Sequence, residues 1–273
     1  NQVLVIESAA EPVQPRLVAL QPFGTKAADA IGFQDRLLVP FKEGMIRLFD
    51  LKDGSQSVLP FQPGLKAGDQ KAWSAPVIDR ASPDKFVVLE NGRHLYRVGI
   101  KQLPQRHLTA FQQRMLAEPI GASIAALGDT LFAVKREADH DVVVTFQLPG
   151  FEDDHQWALK GRVIWGPRRV NDRVFVATDQ QGLFCFDSQW NWWQTAAVLR
   201  WQAALPYGHL AGLPFKQKNS YVLASTNGTV WRIDRQTGQE LEKIEPIRLQ
   251  EPLWGNPVVH GGQLWLSGID GVL

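Results

Sequence analysis

The fold is indicated most clearly by the stretch Tyr221-Val-Leu-Ala-Ser-Thr-Asn-Gly-Thr-Val-Trp-Arg-Ile-Asp234. Apolar, β-branched and aromatic residues stand on both sides of Asn227-Gly228. A type I′ turn joins antiparallel strands tightly and needs positive φ angles, which glycine adopts without a steric penalty from a Cβ atom. The stretch therefore predicts a β-hairpin with strands at residues 221–224 and 230–233.

Four similar hairpin signals occur elsewhere in the chain. They are Glu43-Gly44, Asn91-Gly92, Gln181-Gly182 and Asp270-Gly271. The five hairpin glycines, Gly228 included, follow one another at intervals of 48, 90, 46 and 43 residues. The interval of 90 residues therefore holds one additional unit that lacks a hairpin glycine. That unit has strand-like runs at 131–134 and 142–146, joined by a longer polar stretch at 136–141. The spacing indicates a repeat of about 45 residues.

Each unit carries one strand-like run before the hairpin and another after it. The runs before the hairpin lie at 30–33, 74–78, 122–126, 166–170, 211–215 and 256–259, and those after it at 57–61, 107–111, 155–159, 199–203 and 240–244. Weak helical periodicity at 108–118 is interpreted as strand and loop. Four antiparallel strands per unit are typical of a propeller blade. The sequence predicts an all-β propeller with six blades, and seven blades are the alternative.

A single propeller domain is predicted over residues 1–273. Two spare strands, 3–6 and 17–20, precede the first unit, and pairing of 3–6 with 264–266 would build a closing blade from both termini and hide strand edges. The predicted blades are about 27–64, 72–114, 119–160, 163–204 and 209–246, with a closing blade of about 252–273 and 1–24. The chain begins with Asn1 and lacks a signal-peptide pattern, so we expect any leader to have been removed.

Composition narrows the classes of function. Hydrophobic residues make up 44% of the chain and charged residues 21%, which predicts a well-packed globular core. The 29 basic and 28 acidic residues give a net charge of +1, which argues against nucleic acid as a partner. The only cysteine, Cys185, can form neither an internal disulfide nor a cysteine-based zinc site. No run approaches 18 apolar residues, so no direct membrane insertion is expected.

The segment Asn227-Gly-Thr-Val-Trp-Arg-Ile-Asp-Arg-Gln-Thr-Gly-Gln-Glu-Leu241 resembles the repeat of the PQQ-like, quinoprotein-type β-propellers. Blades of that family carry a hairpin glycine, a strand ending in Asp and a Thr-Gly turn. Residues 49–54 and 186–188 are weaker copies, and residues 74–78 and 255–259 resemble the family's first strand. The resemblance covers most of the chain as a pattern and one blade closely. It implies the propeller fold, which the family uses both for alcohol dehydrogenases and for non-enzymatic scaffolds.

The dehydrogenase branch of the family has features that this sequence lacks. Its quinone lies between a Trp and a vicinal disulfide, which Cys185 alone cannot form. Those enzymes have eight blades, whereas about six are countable here, and no stretch carries their acidic and amide calcium ligands. The chain therefore resembles the scaffold members more, and neither PQQ nor calcium is expected as a cofactor.

No catalytic residue and no metal ligand is predicted. The six histidines are scattered, and the best local cluster, Asp139-His140-Asp141 with Glu137, is interpreted as a solvated hairpin tip. Residues 152–155 are interpreted as a charged loop. Phosphate-binding and nucleophile-elbow motifs are absent from the sequence. Asp50, Asp187 and Asp234 end strands, where we expect them to accept hydrogen bonds from the following turn.

Tryptophan provides the candidate binding residues. Of the ten in the chain, Trp73, Trp165 and Trp254 each precede a predicted first strand, and His209 has the equivalent place in another unit. First strands are innermost in a propeller, so these residues are expected at one mouth of the channel, where Trp is common in binding hot spots. Packing between blades is the alternative role. Arg168 and Arg169 follow Trp165, and strand alternation would direct one of them to the channel, with a salt-bridged or solvated side chain as the alternative.

A second aromatic cluster, Trp190-Asn-Trp192-Trp193, replaces the turn that other units have after the third strand. Alternation cannot bury all of these positions on one face of a strand. The cluster is therefore interpreted either as a contact surface or as residues packed beneath a loop.

These features predict a non-enzymatic binding or scaffold propeller. Its channel mouth and aromatic edge would contact a protein, peptide or glycan partner. The alternatives are a quinoprotein-like or hydrolytic enzyme with its site in the central funnel, and a sensor module of a longer protein. The family resemblance points to an extracytoplasmic location, periplasmic or exported.

Overall fold

The computed structural model describes residues 2–6, 15–19, 27–64, 71–191, 194–260 and 263–268. These residues form 23 β-strands, and the all-β prediction is confirmed. The described ranges contain no helix with the length and apolarity that a membrane crossing requires. The chain divides into two compact units, unit 1 (Asn1–Ile124 and Leu148–Phe151) and unit 2 (Ala125–Gln147 and Glu152–Leu273).

Unit 1 contains one hairpin and two larger antiparallel sheets. The hairpin pairs β1 (Gln2–Ile6) with β2 (Pro15–Ala19). Blade 1 has three strands in sequence order, β3 (Ile31–Phe33), β4 (Arg36–Pro40) and β5 (Ile46–Asp50). Blade 2 has four, β6 (Val77–Ile78), β7 (Lys85–Glu90), β8 (His94–Lys101) and β9 (His107–Met115).

Unit 2 contains three four-stranded antiparallel sheets and one hairpin. Blade 3 comprises β10 (Ala125–Leu127), β11 (Thr130–Arg136), β12 (Asp141–Gln147) and β13 (Glu152–Ala158). Blade 4 comprises β14 (Val163–Val170), β15 (Arg173–Thr178), β16 (Gly182–Asn191) and β17 (Gln194–Ala204). Blade 5 comprises β18 (Phe215–Gln217), β19 (Ser220–Ala224), β20 (Thr229–Asp234) and β21 (Ile247–Arg248). The terminal hairpin pairs β22 (Val258–His260) with β23 (Gln263–Trp265).

The glycine-marked hairpins form, although glycine does not always take the positive φ. Gly44 and Gly228 have φ angles of 96° and 88°, as a tight turn requires. At the third signal, Gln181 has the positive φ of 56°, and Gly182 begins β16. A Cβ atom on Gly182 would lie 3.0 Å from the Phe184 ring, so space rather than backbone angle favours glycine there. The Asp270-Gly271 signal lies outside the described residues.

The outermost strands differ most from the prediction. Residues 57–61 form only isolated bridges, in which Phe61 pairs with Ile46 of β5. The strand predicted at 240–244 is wrong, because β21 lies at 247–248 and Glu240 makes a single bridge. An outer strand has one partner edge, so local turns such as the Ile244 N–H to Leu241 carbonyl bond compete with pairing.

Hydrophobic clusters lie between consecutive blades within each unit. In unit 2, the cluster between blades 4 and 5 contains Phe175, Cys185, Trp201, Tyr221, Trp231 and Ile233, all buried. The rings of Phe175 and Tyr221 meet edge to face with centroids 5.0 Å apart. Burial of each large apolar side chain contributes roughly 1.5–3 kcal/mol, so these clusters hold the blades face to face. The six-blade count, the blade closed by both termini and the single-domain boundaries stay predictions.

Candidate functional site

Trp73 is a core residue of unit 1. Its side chain is 7% exposed and lies in the cluster between blades 1 and 2, with its ring centroid 6.3 Å from that of Tyr96. The backbone forms an isolated bridge with Glu90 at the end of β7. Trp73 therefore stands just before a first strand, as predicted, and its indole contributes to packing.

The prediction that Trp165 precedes a first strand is wrong, because β14, the first strand of blade 4, already begins at Val163 and contains Trp165 and both arginines. Trp165 pairs with Ala177 between two register shifts, and its side chain is half-buried against the cluster between blades 4 and 5. Arg169 is half-buried, and its Nε donates to the Asn171 carbonyl at 2.6 Å. Arg168 is exposed and forms no ion pair with any described residue. The predicted alternation thus leaves one free cation on this strand.

The loops that lead into β18 and β22 touch each other. The Gly255 N–H donates to the Ala211 carbonyl at 3.1 Å, and the Leu213 N–H donates to Asn256 Oδ1 at 2.9 Å. The strand predicted from residue 211 begins at Phe215, although the Ala211 N–H donates to the Ala224 carbonyl of β19 at 2.8 Å. The contact between the loops brings together the two segments that carry His209 and Trp254, both exposed.

Trp254 belongs to a group of exposed apolar side chains at the terminal hairpin. Its side chain is 67% exposed, and Val258 and Trp265, which pair across β22 and β23, are also exposed. The opposite side of the hairpin carries Leu264 and Leu266, which pack against blade 5. We call Trp254, Val258 and Trp265 the terminal apolar patch. Apolar surface left exposed in a group marks a contact surface more strongly than isolated residues do.

Trp190, the first residue of the second tryptophan cluster, lies on a long third strand rather than on a turn after a short one. β16 and β17 stay paired to Asn191 and Gln194, well beyond the strand ends of blade 5. Trp190 pairs with Thr195 in this extension, and Trp192 and Trp193 lie outside the described residues. Trp201 is different, because it is buried and its Nε1 donates to the Arg235 carbonyl at 3.0 Å.

A cavity of about 240 Å³ opens between blade 5 and the terminal hairpin. Its apolar lining comes from blade 5, including β21 and the segment before it, and from β23, and includes Val222, Val230, Ile244, Ile247 and Leu264. Arg232 and Glu245 supply the charges. Neither side chain forms an ion pair with a described residue. No local sequence pattern indicates this cavity, because it arises from the packing of strands that are distant in the sequence.

The most buried cationic group of unit 2 lies beside the only thiol. Arg173 Nη1 donates to the Arg235 carbonyl at 2.7 Å and lies 3.7 Å from the Cys185 sulfur. Burial raises the pKa of Cys185 to about 12, and this effect exceeds the opposite influence of Arg173. The thiol is therefore neutral and enclosed, which does not suit a nucleophile.

Unit 1 contains two buried ion pairs that were not predicted from the sequence. Lys71 pairs with Glu90, whose second oxygen accepts from the Tyr96 hydroxyl at 2.9 Å. Arg97 Nε donates to Asp79 at 2.6 Å. Charged residues within apolar strands are the sequence signal that could have indicated these ion pairs. Each buried charge already has a partner of opposite charge, so the geometry favours a structural role for both ion pairs.

The acidic cluster around His140 is a closed hairpin tip. His140 Nδ1 lies 2.6 Å from Asp139 Oδ1, and Arg162 Nη1 donates to the Glu137 and His140 carbonyls at 2.7 and 2.9 Å. Arg162 also bonds the buried Asp141 carboxylate. In the part of the chain that the structure describes, no group of three or more acidic, histidine or cysteine side chains is arranged to hold a metal.

The strand-ending aspartates behave as predicted in two of three cases. Asp50 Oδ1 accepts from the Lys52 N–H at 2.8 Å, and Asp234 Oδ1 accepts from the Gln236 and Thr237 N–H groups at 2.8 and 2.9 Å. For Asp187 the prediction of a turn is wrong, because β16 continues past it. Its Oδ1 still accepts from the following backbone, the Ser188 N–H, at 2.8 Å, and its other oxygen lies 3.7 Å from Arg173 Nη2.

Comparison with solved structures identifies the fold. BamB from Moraxella catarrhalis aligns with 93% of this chain and 72% of its own, at 14% identity and a TM-score of 0.58. BBS1N, solved in complex with ARL6DN, aligns with 98% of this chain and 89% of its own, at 12% identity and 0.63. Sqt1 from Saccharomyces cerevisiae aligns with 99% and 75%, at 9% identity and 0.65.

No protein-family model matches the sequence, and the search of curated proteins finds no match. The likeness to the PQQ-like repeat therefore stays a resemblance. The similar solved structures are β-propellers, and the four-stranded antiparallel sheets of this chain agree with that architecture. The chain has the β-propeller fold.

Proposed function

We propose that this chain is a non-enzymatic propeller that binds a protein partner through unit 2. The contact surface consists of the terminal apolar patch, His209 and the unpaired Arg168. The observation that carries the proposal is the exposure of Trp254, which is 67% accessible where the equivalent Trp73 is 7% accessible. An indole is a large apolar surface, and Trp and Arg are the residues most enriched in binding hot spots.

The chemistry of the described residues supports binding more than catalysis. The thiol is buried with a raised pKa, the buried carboxylates are paired with cations, and the His140 cluster is tied by Arg162. Hydrogen bonds from Ser55 and from His140 hold the pKa values of the exposed carboxyls of Asp53 and Asp139 below their usual range, so each is a weak base at neutral pH.

Protein is the partner class that we favour over peptide or glycan ligands. One similar propeller, BBS1N, was solved in complex with ARL6DN, and another similar chain comes from a mitotic checkpoint complex. These likenesses are at the level of the fold, so they support a protein partner in general terms. The extracytoplasmic location implied by the family resemblance is part of the same proposal.

The test is affinity capture with matched variants. Trp254→Ala removes an exposed side chain, so we expect an unchanged melting temperature and loss of the specifically captured proteins. Met115→Ala is the matched control, because Met115 is also 67% exposed but lies in unit 1. Trp73→Ala serves as the core reference and should lower the melting temperature by several degrees, because a Trp-to-Ala truncation in a core destabilises by about 3–5 kcal/mol.

Two results would count against the proposed contact. One is retention of every captured protein by the Trp254→Ala and Arg168→Ala variants. The other is a loss of stability in Trp254→Ala as large as that in Trp73→Ala, because Trp254 would then be a packing residue.

A further inference from the structure

One end of blade 2, in unit 1, carries an exposed apolar loop. The turn from β8 to β9, residues 102–106, lies at this end together with the turn from β6 to β7, residues 79–84. Leu103 stands in the first of these turns and is 75% exposed, the highest value among the large apolar side chains of the described residues. The residues on either side of it are exposed as well. The loop therefore presents a leucine to the surroundings of the protein.

A second exposed apolar residue lies beside the same turn. Residues 57–61 follow blade 1 along the chain and reach blade 2 at Leu59, whose N–H donates to the Arg106 carbonyl at 2.9 Å. The Leu108 N–H donates in turn to the Leu59 carbonyl at 2.9 Å, so this segment is held against the start of β9. The Leu59 side chain is 48% exposed. Two exposed leucines therefore lie at this end of blade 2.

The charges at this end of blade 2 are unbalanced. Its two carboxylates are already paired, Asp79 with Arg97 at 2.6 Å and Asp84 with Lys85 at 2.8 Å. Neither of the two turns contributes another carboxylate. The remaining cations at this end, which form no ion pair with a described residue, are the exposed Arg80 and Lys101 and the half-buried Arg106. The two turns therefore carry a net positive charge, in a chain whose net charge is only +1.

Exposed leucines with cations around them match the interface of an anionic lipid bilayer. The boundary of the acyl chains accepts leucine side chains, while lysine and arginine stay at the level of the negatively charged headgroups. Lys101 and Arg106 stand shortly before and after Leu103, so both cations lie close to the headgroups when Leu103 meets the acyl chains. A leucine between exposed neighbours is suited to enter a fluid surface, whereas a peptide segment needs a groove or a free strand edge.

We propose that this end of blade 2 docks on the surface of an anionic lipid bilayer. Leu103 and Leu59 reach the acyl boundary, and the three cations contact the headgroups. The contact is peripheral, because no strand or helix enters the bilayer, in keeping with the absence of a long apolar run from the sequence. It is also reversible, since even a myristoyl chain, which buries more apolar surface than two leucines, binds reversibly. The docking surface shares no residue with the contact surface proposed for unit 2.

Sedimentation of the full chain with lipid vesicles tests the proposal. Vesicles of equal parts phosphatidylglycerol and phosphatidylcholine should pellet about half of the protein at about 1 mM accessible lipid. Vesicles of phosphatidylcholine alone should pellet far less, because each cation near an anionic surface strengthens binding about fivefold. Salt at about 0.5 M should release the protein from the anionic vesicles, since mobile ions screen exposed charges.

Matched variants test the location of the docking surface. Leu103→Ala should weaken binding to the anionic vesicles about tenfold, because it removes most of the apolar side chain that meets the lipid. Met115→Ala should not weaken it, since Met115 is 67% exposed but lies at the opposite end of β9. Lys101→Ala should weaken binding about fivefold, whereas Arg93→Ala, which removes an exposed cation at that opposite end, should not. All four side chains are exposed, so the variants should melt at the temperature of the unmodified chain.

The proposal fails on any of three results. The first is the absence of pelleting with anionic vesicles, or equal pelleting with anionic and neutral ones. If the Leu103→Ala variant then also loses a protein that the unmodified chain captures, this surface binds protein and not lipid. The second is equal binding of anionic vesicles by the Leu103→Ala and Met115→Ala variants. The third is a lower melting temperature for Leu103→Ala alone, because Leu103 would then be a packing residue of the fold.

Discussion

At the scale of the residue, Asp234 shows what the strand-ending aspartate of the repeat does. One carboxylate oxygen accepts two backbone N–H groups, from Gln236 and Thr237, and the Thr237 hydroxyl at 3.1 Å. The hydrogen bond from the Thr237 N–H is the largest of several that lower the pKa of Asp234 below its usual value. The ionised carboxylate is therefore the form that stabilises the turn.

Replacement of Asp234 by Ala should lower the free energy of unfolding at pH 7 by about 1 kcal/mol, since solvent weakens hydrogen bonds at the surface. A lowered folded-state pKa contributes stability above the unfolded pKa and loses it as the pH falls through the folded pKa. The difference between the two proteins should therefore shrink in acid. Chemical denaturation between pH 3 and 7 measures it.

Asp234→Asn is the matched control for that prediction. It keeps an acceptor oxygen and removes the titration, so its stability should lie closer to that of the unmodified chain and its difference from Asp234→Ala should vary little with pH. A gap between the unmodified chain and Asp234→Ala that widens as the pH falls would contradict this account of the carboxylate.

At the scale of the element, the contact between the loops before β18 and β22 leaves no room for a side chain at Gly212. A Cβ atom there would lie 2.0 Å from the Gly255 carbonyl oxygen, and backbone cannot move aside as a flexible side chain can. Gly212→Ala should therefore destabilise unit 2 by roughly 1–3 kcal/mol. It should also weaken any binding that depends on His209 and Trp254, which the same loops carry.

Gly32→Ala is the control for this steric effect. A Cβ atom on Gly32, within β3, would meet nothing within 4 Å. Alanine also loses less backbone conformational entropy on folding than glycine does. Thermal denaturation of both variants should show a clear decrease for Gly212→Ala and none for Gly32→Ala. Equal decreases would show that loss of glycine flexibility, rather than the contact with Gly255, governs the effect.

The strands that were predicted well from the sequence are those for which both the residue pattern of the strand and the adjoining turn are recognisable. The strands around Asn227-Gly228 were predicted to within one or two residues, because alternation and turn geometry agree there. Outer strands such as β21 were misplaced. An outer strand is paired along one edge only, so local turns can compete with its pairing. The extension of β16 was missed because no turn residue marks its end. Trp73 and Trp254 were placed correctly before first strands, but their burial depends on neighbouring strands that no local pattern specifies.

At the scale of the whole molecule, the question is whether a quinone cofactor could bind anywhere on the propeller. Among the described residues no group of three or more His, Cys, Asp or Glu side chains is arranged to hold a metal, and Cys185, the only cysteine, is buried. A propeller repeat alone supplies no catalytic group, because function depends on the site and not on the fold. That neither PQQ nor calcium binds this chain stays a prediction made from the sequence.

Addition of PQQ with calcium should accordingly leave the melting temperature and the quinone absorbance unchanged. A ligand at 100 times its dissociation constant stabilises the folded state by about 2.7 kcal/mol, which shifts the melting temperature by a few degrees in a protein of this size. Differential scanning fluorimetry resolves such a shift, and a quinoprotein dehydrogenase run in parallel serves as the positive control. A shift that grows with PQQ only when calcium is present would place a cofactor site on this chain and favour the enzyme over the scaffold.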